Sequence, residues 1–190
     1  DAAGVARRVM VQSALVGAVE TVDAPSGFTV LGQSVVVNTR SSRGPVTQFG
    51  GGYAGIGAVH AGDAVEVHGF VVRTATGYSV QATRVEKLPA LPAFLKVSGL
   101  ASGVGPADFR LGSLVVGTAT ATLLPEGAAL ADGQVVSVLA AAGTLQANPA
   151  APLRLRAAQV RIRTVGAVGT DVYASGVISA FRSEEHTSEL

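Results

Sequence analysis

The sequence predicts an all-β chain built as two small barrels or sandwiches in tandem, and three observations predict it. Apolar residues make up 48% of the 190 positions, yet aromatics supply only 5%, and 24 Gly and 8 Pro interrupt the apolar runs. Several stretches alternate apolar and polar residues, the period of a half-buried strand. The same ordered set of short segments also returns after roughly 75–80 residues, about the size of a small β domain. No stretch has the pattern of an amphipathic helix of ordinary length. Residues 120–130, with Ala128, Ala129 and Leu130, are expected to hold one short helical turn.

Leu15-Val16-Gly17-Ala18-Val19 opens the first unit, and Val97-Ser98-Gly99-Leu100-Ala101 opens the second. Phe28-Thr29-Val30-Leu31-Gly32 returns as Phe109-Arg110-Leu111-Gly112, a strand broken by a Gly turn. Gly62-Asp63 and Asp132-Gly133 mark tight turns ahead of further strands. The first of these strands places Val65 and Val67 on one face and Glu66 and His68 on the other. Residues 78–85 alternate again after the turn Thr76-Gly77, and Val80-Gln81-Ala82-Thr83-Arg84-Val85 returns as Leu155-Arg156-Ala157-Ala158-Gln159-Val160.

Val5-Ala6-Arg7-Arg8-Val9 reads like the end of a unit, and Ala174-Ser175-Gly176-Val177-Ile178 like the start of one. The expected division is therefore the last strand of a preceding repeat at 1–13, a repeat at 14–88 and a linker at 89–93. A second repeat occupies 94–164, and the first strand of a further repeat 172–181. On this reading the chain is cut at both ends. Its final stretch, 182–190, resembles the translation of a common sequencing adapter. That tail holds one of the 14 Lys and Arg and three of the 13 Asp and Glu, so the formal charge of +1 understates how basic the rest is.

Composition excludes several classes. Low charge and abundant Val, Leu and Ala exclude disorder, and the absence of Cys excludes disulfides and thiolate metal sites. A charge near neutral gives no global attraction to nucleic acid or anionic lipid. Despite a mean hydropathy of +0.43, no run of about 20 apolar residues exists to span a membrane. The chain opens at Asp1 without a basic and apolar leader, so no targeting segment is expected within it.

The residues Gly17 and Val19; Phe28, Val30 and Gly32; Gly62, Asp63, Val65, Glu66, Val67 and Gly69; and Ala82-Thr83-Arg84-Val85-Glu86 resemble the bacterial family catalogued as domain of unknown function 5666. The second unit departs at Ala140, where the first has Gly69, and at Ala157-Ala158-Gln159-Val160. The resemblance implies two tandem small OB-like five-stranded β-barrels, truncated at both ends. It also implies a protein exported to the periplasm, the outer membrane or the outside of the cell. The matching residues are those of turns and cores, so they imply a fold and no chemistry.

Three features could carry chemistry. Gly50-Gly51-Gly52-Tyr53-Ala54-Gly55 fits the dinucleotide fingerprint, but two more Gly and then a strand come after it, where a phosphate site needs a helix. A loop is the better reading. His60, Asp63, Glu66 and His68 lie close together, yet a solvated strand face explains them more simply than a metal site. No nucleophile elbow or paired-carboxylate motif is present, so the chain is expected to be non-enzymatic and without cofactor or metal. The most suggestive cluster is Arg154, Arg156, Arg161 and Arg163, two pairs at strand spacing that could form a basic ribbon. Nucleic acid is disfavoured as its partner, because no aromatic residue lies between Phe109 and Tyr173 to stack on bases. A charged strand edge that resists aggregation is the simplest account. The sequence thus leaves three roles: a ligand- or protein-binding module, a structural spacer, or a binder of nucleic acid or another anionic polymer.

Overall fold

The computed structural model describes residues 12–148 and 150–163. Of the strand of a preceding repeat expected at 1–13, residues 1–11 lie outside the described residues and Ser13 instead opens the strand Ser13–Asp23; the strand expected at 172–181 and the polar tail lie outside them too.

Six strands form the first set: β1 (Ser13–Asp23), β2 (Gly27–Val30), β3 (Gln33–Val36), β4 (Gln48–Gly50), β5 (Ala64–Thr74) and β6 (Gly77–Lys87). Five of them close a barrel. β1 pairs with β2, β2 with β3, β3 with β6 in parallel, β6 with β5, and β5 returns to β1. Closure works because β1 is long and irregular. Its first half faces β5, and beyond Val19 its ladder passes to β2 with a register shift. Such a shift bends a strand around a corner and lets one strand serve both ends of a closing sheet. Alternation sends Leu15, Val19, Phe28, Val30, Val35, Val65, Val67, Val80 and Val85 into the interior, each at most 2% exposed. The short β4 adds parallel pairing to the far end of β6.

The second set repeats this order with one break. It comprises β7 (Phe94–Ser102), β8 (Asp108–Leu111), β9 (Leu114–Gly117), β10 (Thr122–Leu124), β11 (Val135–Ala141), β12 (Gln146–Asn148), β13 (Ala151–Arg156) and β14 (Gln159–Ile162). β7 pairs with β8, β8 with β9, β9 with β13 in parallel, β14 with β11, and β11 with β7. The counterpart of β6 is therefore split into β13 and β14 at Ala157 and Ala158. Their amides turn to different strands, Ala157 to the Gly117 carbonyl and Ala158 to that of Leu139, each at 2.9 Å. The five-stranded expectation is thus met by continuous ladders in the first set; in the second, no ladder joins β13 to β14, so the pairing does not close a second barrel.

Gly69 accounts for part of the difference. A Cβ there would lie 2.2 Å from the Gln81 carbonyl oxygen, and the β5–β6 register shifts at this point. β5 bends through the bulge and continues to Thr74. The second set has Ala140 at the matching position, and β11 ends one residue later, in a 3-10 turn at Ala142–Thr144. Within 120–130, where one short helical turn was expected, residues 122–124 form β10, which pairs in parallel with β14. After β10 the chain makes a single turn, closed from the Ala128 amide to the Pro125 carbonyl. Among the described residues the helices are three 3-10 turns, and none is long and apolar enough to cross a membrane.

Candidate functional site at the junction of the two strand sets

The two sets meet along one seam. β1 pairs antiparallel with β7, Leu15 opposite Val97 and Val16 opposite Lys96, so β5, β1, β7 and β11 form one continuous sheet. Beside the seam, the β2–β3 turn (Leu31, Gly32) meets the β8–β9 turn (Gly112, Ser113), with the Ser113 hydroxyl donating to the Gly32 carbonyl at 3.3 Å. Leu31 and Gly32 both have positive φ, 51° and 69°, as a two-residue hairpin requires. The Glu20 carboxylate holds the Gly32 amide at 3.0 Å.

Gln33 fastens the junction. It is 1% exposed, and its Nε2 donates at 2.8 Å to both the Leu31 carbonyl and, across the seam, the Leu111 carbonyl. Its Oε1 accepts from the Tyr78 hydroxyl. Burial pushes the Tyr78 phenol well above its ordinary range, which keeps the donating proton in place. Tyr78 fits because β7 carries glycine beneath it: a Cβ at Gly99 would lie 2.2 Å from the Tyr78 oxygen. Around these groups opens a cleft of about 440 Å³, lined by Gln33, Ser34, Arg73, Tyr78, Ser102 and Asp132 with adjoining turn backbone. Arg73 reaches across it to the Gly133 carbonyl at 3.1 Å, and the Asp132 carboxylate accepts the Val104 amide at 2.9 Å.

The residues singled out by sequence are distributed differently. Arg154 and Arg156 are exposed on β13 with Leu155 buried between them, and Arg154 pairs with Asp108 at 3.0 Å. Arg161 and Arg163 are exposed to either side of buried Ile162, at and just beyond the end of β14. The break at Ala157 and Ala158 divides the two pairs, so they do not lie along one continuous strand. Arg161 and Arg163 instead share a field with half-buried Lys96. Burial lowers the affinity of its ammonium for a proton, the two guanidiniums lower it further, and Glu66 opposes them.

His60, Asp63, Glu66 and His68 do not converge. Glu66 lies 3.5 Å from His68 Nε2, while Asp63 is occupied elsewhere. It accepts the Tyr53 hydroxyl at 2.7 Å and the His60 amide at 2.9 Å, and pairs with Lys87 at 2.7 Å. Among the described residues no group of three or more potential ligands could hold a metal ion. The Gly-rich stretch continues from β4 as a loop and leads into a 3-10 turn at Ile56–Ala58. Its Tyr53 is buried and closes the loop over Asp63.

Gln33, Tyr78 and Lys96 were not singled out by sequence. Gln33 comes after a Gly turn and Tyr78 after Gly77, but their meeting depends on strands 45 residues apart. Lys96 becomes notable only once β11 and β14 are laid beside β7.

No match was found among curated proteins or among solved structures. A family match does exist, and it covers the closed barrel, from within β1 almost to the end of β6, stopping before β7. Over residues 16–86 the chain matches the family described as Domain of unknown function (DUF5666).

Proposed function

We propose that the chain is a non-enzymatic β-barrel module of an exported bacterial protein that binds a ligand or a partner protein at the cleft between its two strand sets. The observation that carries this reading is the cleft: turn backbone, Arg73, Ser102 and Asp132 are presented beside a junction fixed by Gln33 and Tyr78. A concave surface with a few placed polar groups on a rigid frame is what recognition needs. The non-enzymatic part is supported by the carboxylates already holding the fold. Asp63 serves Tyr53 and Lys87, Glu20 the Gly32 amide, Asp132 the Val104 amide and Asp108 the Arg154 guanidinium. Export to the periplasm, the outer membrane or the outside of the cell rests on the family resemblance.

The test is thermal unfolding against increasing concentrations of neutral oligosaccharides, anionic oligosaccharides and short peptides. Binding at the cleft raises the melting temperature with concentration, about 2.7 kcal/mol of stabilisation at a hundredfold excess over Kd, and Arg73→Ala abolishes the rise. Two other readings have their own support. The continuous β5–β1–β7–β11 sheet suits a spacer, for which no probe shifts the transition. The field shared by Lys96, Arg161 and Arg163 suits an anionic polymer. In that case the anionic oligosaccharide binds with a steep salt dependence. Arg161→Ala combined with Arg163→Ala flattens it, and unchanged binding in that variant defeats the polymer reading.

A further inference from the structure

Among the described residues, the charged side chains that line the cleft are Arg73 and Asp132, of opposite sign. Arg73 comes from β5 in the first strand set, and Asp132 from the turn ahead of β11 in the second. Opposite charges placed this near to each other commonly pair. Here each is held by neutral backbone instead. Arg73 Nη2 donates to the carbonyl of Gly133, the residue next to Asp132, at 3.1 Å, and Asp132 Oδ1 accepts the Val104 amide at 2.9 Å. Among the described residues neither side chain forms an ion pair, with the other or with any third group.

Those two bonds leave most of the binding capacity of both groups unused. A guanidinium has five N–H donors in a planar fork, and a carboxylate has two acceptor oxygens. Both side chains are exposed to the cleft. Because Arg73 touches the residue beside Asp132, the two charges lie within roughly 10 Å of each other. A molecule that meets both therefore carries an anionic and a cationic group only a few bonds apart. The rest of the lining is neutral: hydroxyls of Ser34, Thr76 and Ser102, and the side chain of Leu100. The site has no net charge, so it complements a ligand that has none but carries both signs. Its volume of about 440 Å³ suits a small molecule with room for a side chain.

We propose that the cleft takes a free α-amino acid, its carboxylate on the Arg73 guanidinium and its ammonium on the Asp132 carboxylate. The ligand's own side chain then faces the hydroxyls of Ser34, Thr76 and Ser102. This inference rests on the cleft being the binding site and names the ligand class. A planar fork holds a carboxylate through two parallel hydrogen bonds, the geometry that favours Arg over Lys there.

The experiment is calorimetric titration of the full chain with L-alanine, L-serine and L-glutamine, at least one of which is expected to bind. For the tightest of them, the N-acetyl derivative removes the ammonium charge and the carboxamide derivative removes the carboxylate. Each change is expected to weaken binding roughly ten- to a hundredfold, as one lost charged hydrogen bond implies. Arg73→Gln and Asp132→Asn remove the same charges from the protein while keeping a donor for the Gly133 carbonyl and an acceptor for the Val104 amide, and circular dichroism verifies the strand content of both. Matched losses should not add: Arg73→Gln weakens the amino acid but not its carboxamide, and Asp132→Asn weakens the amino acid but not its N-acetyl form. Additive losses, or derivatives that bind the parent as tightly as the amino acid, would overturn the proposal. So would tighter binding of L-alanyl-L-alanine, which would assign the site to peptide termini. A neutral oligosaccharide whose binding Arg73→Gln abolishes, with no amino acid bound, would overturn the amino acid and keep the cleft as a binding site. No binding by any of these molecules would overturn both.

Discussion

At Asp63 a single carboxylate organises the turn before β5, the Gly-rich loop and the end of β6. The Lys87 ammonium, the Tyr53 hydroxyl and the His60 amide all stabilise its charged form, so its proton affinity is held far below the ordinary carboxylate range. The side chain is 14% exposed, so solvent screens these contacts little. Gln134 stands at the matching position in the second set and accepts the Ala131 amide at 2.9 Å, the same backbone bond without the charge. The turn needs an acceptor; the charge serves Lys87 and Tyr53. Because the folded proton affinity is depressed, the stabilisation is present above the unfolded carboxylate pKa of about 4 and is lost as pH falls below it. Asp63→Asn is expected to cost about 1–3 kcal/mol at neutral pH and to flatten the decline of stability between about pH 5 and pH 2. Urea unfolding across that range checks this, and parallel curves for the two proteins would refute the assignment. The turn itself was legible in the Gly62-Asp63 pair. Tyr53 was not, because nothing in a run of glycines signals that its aromatic ring folds back onto a residue ten positions later.

At the scale of strands, alternation and turn residues made most of the first set readable, since Val65, Val67, Val80 and Val85 are buried where the period of two puts them. The Gly32 turn was readable too, but two features were not: the left-handed backbone at Leu31 and the break between β13 and β14. The span at 28–37 is a hairpin of two strands whose turn holds Leu31 at positive φ, an uncommon place for a branched apolar residue. Burial of the Leu31 side chain at the junction compensates, and burial is a tertiary fact. The break between β13 and β14 likewise depends on which neighbour each amide finds. The departure at Ala140 marked the correct region without showing its consequence. Gly69→Ala is expected to push a Cβ into the Gln81 carbonyl and to cost about 1–3 kcal/mol, the usual range for overpacking. In a chain of this size that lowers the melting temperature by roughly 2–4 °C per kcal/mol. The reciprocal Ala140→Gly removes a fully buried methyl and loosens the strand, so it too should cost about 1–2 kcal/mol. A Gly69→Ala protein as stable as the parent would mean that the bulge is not set by this glycine.

For the whole molecule, what matters is whether the two strand sets behave as one cooperative body. The β1–β7 ladder contributes only two residue pairs, too few to bind two domains by hydrogen bonds alone. The lock around Gln33 adds what the ladder lacks, because its hydrogen bonds form where Gln33 is shielded from water and are stronger there than in solvent. If the sets separated while each stayed folded, Gln33, the Leu111 carbonyl and the Tyr78 hydroxyl would have to be rehydrated, and the glycine bed beneath Tyr78 would be exposed. Removing the lock changes that balance before any separation. In Gln33→Ala the Tyr78 hydroxyl and the Leu111 carbonyl lose the side chain that joins them, at a cost of about 1–3 kcal/mol for the two hydrogen bonds together. That penalty falls on the docked state alone, since water satisfies both groups once the sets part. The parent chain is therefore expected to unfold in one calorimetric transition with equal calorimetric and van't Hoff enthalpies, and Gln33→Ala in two resolvable steps. Two steps in the parent would place the domain boundary at the seam already, and one step in the variant would show that the ladder and the apolar contacts of Leu15 and Val97 couple the sets without Gln33.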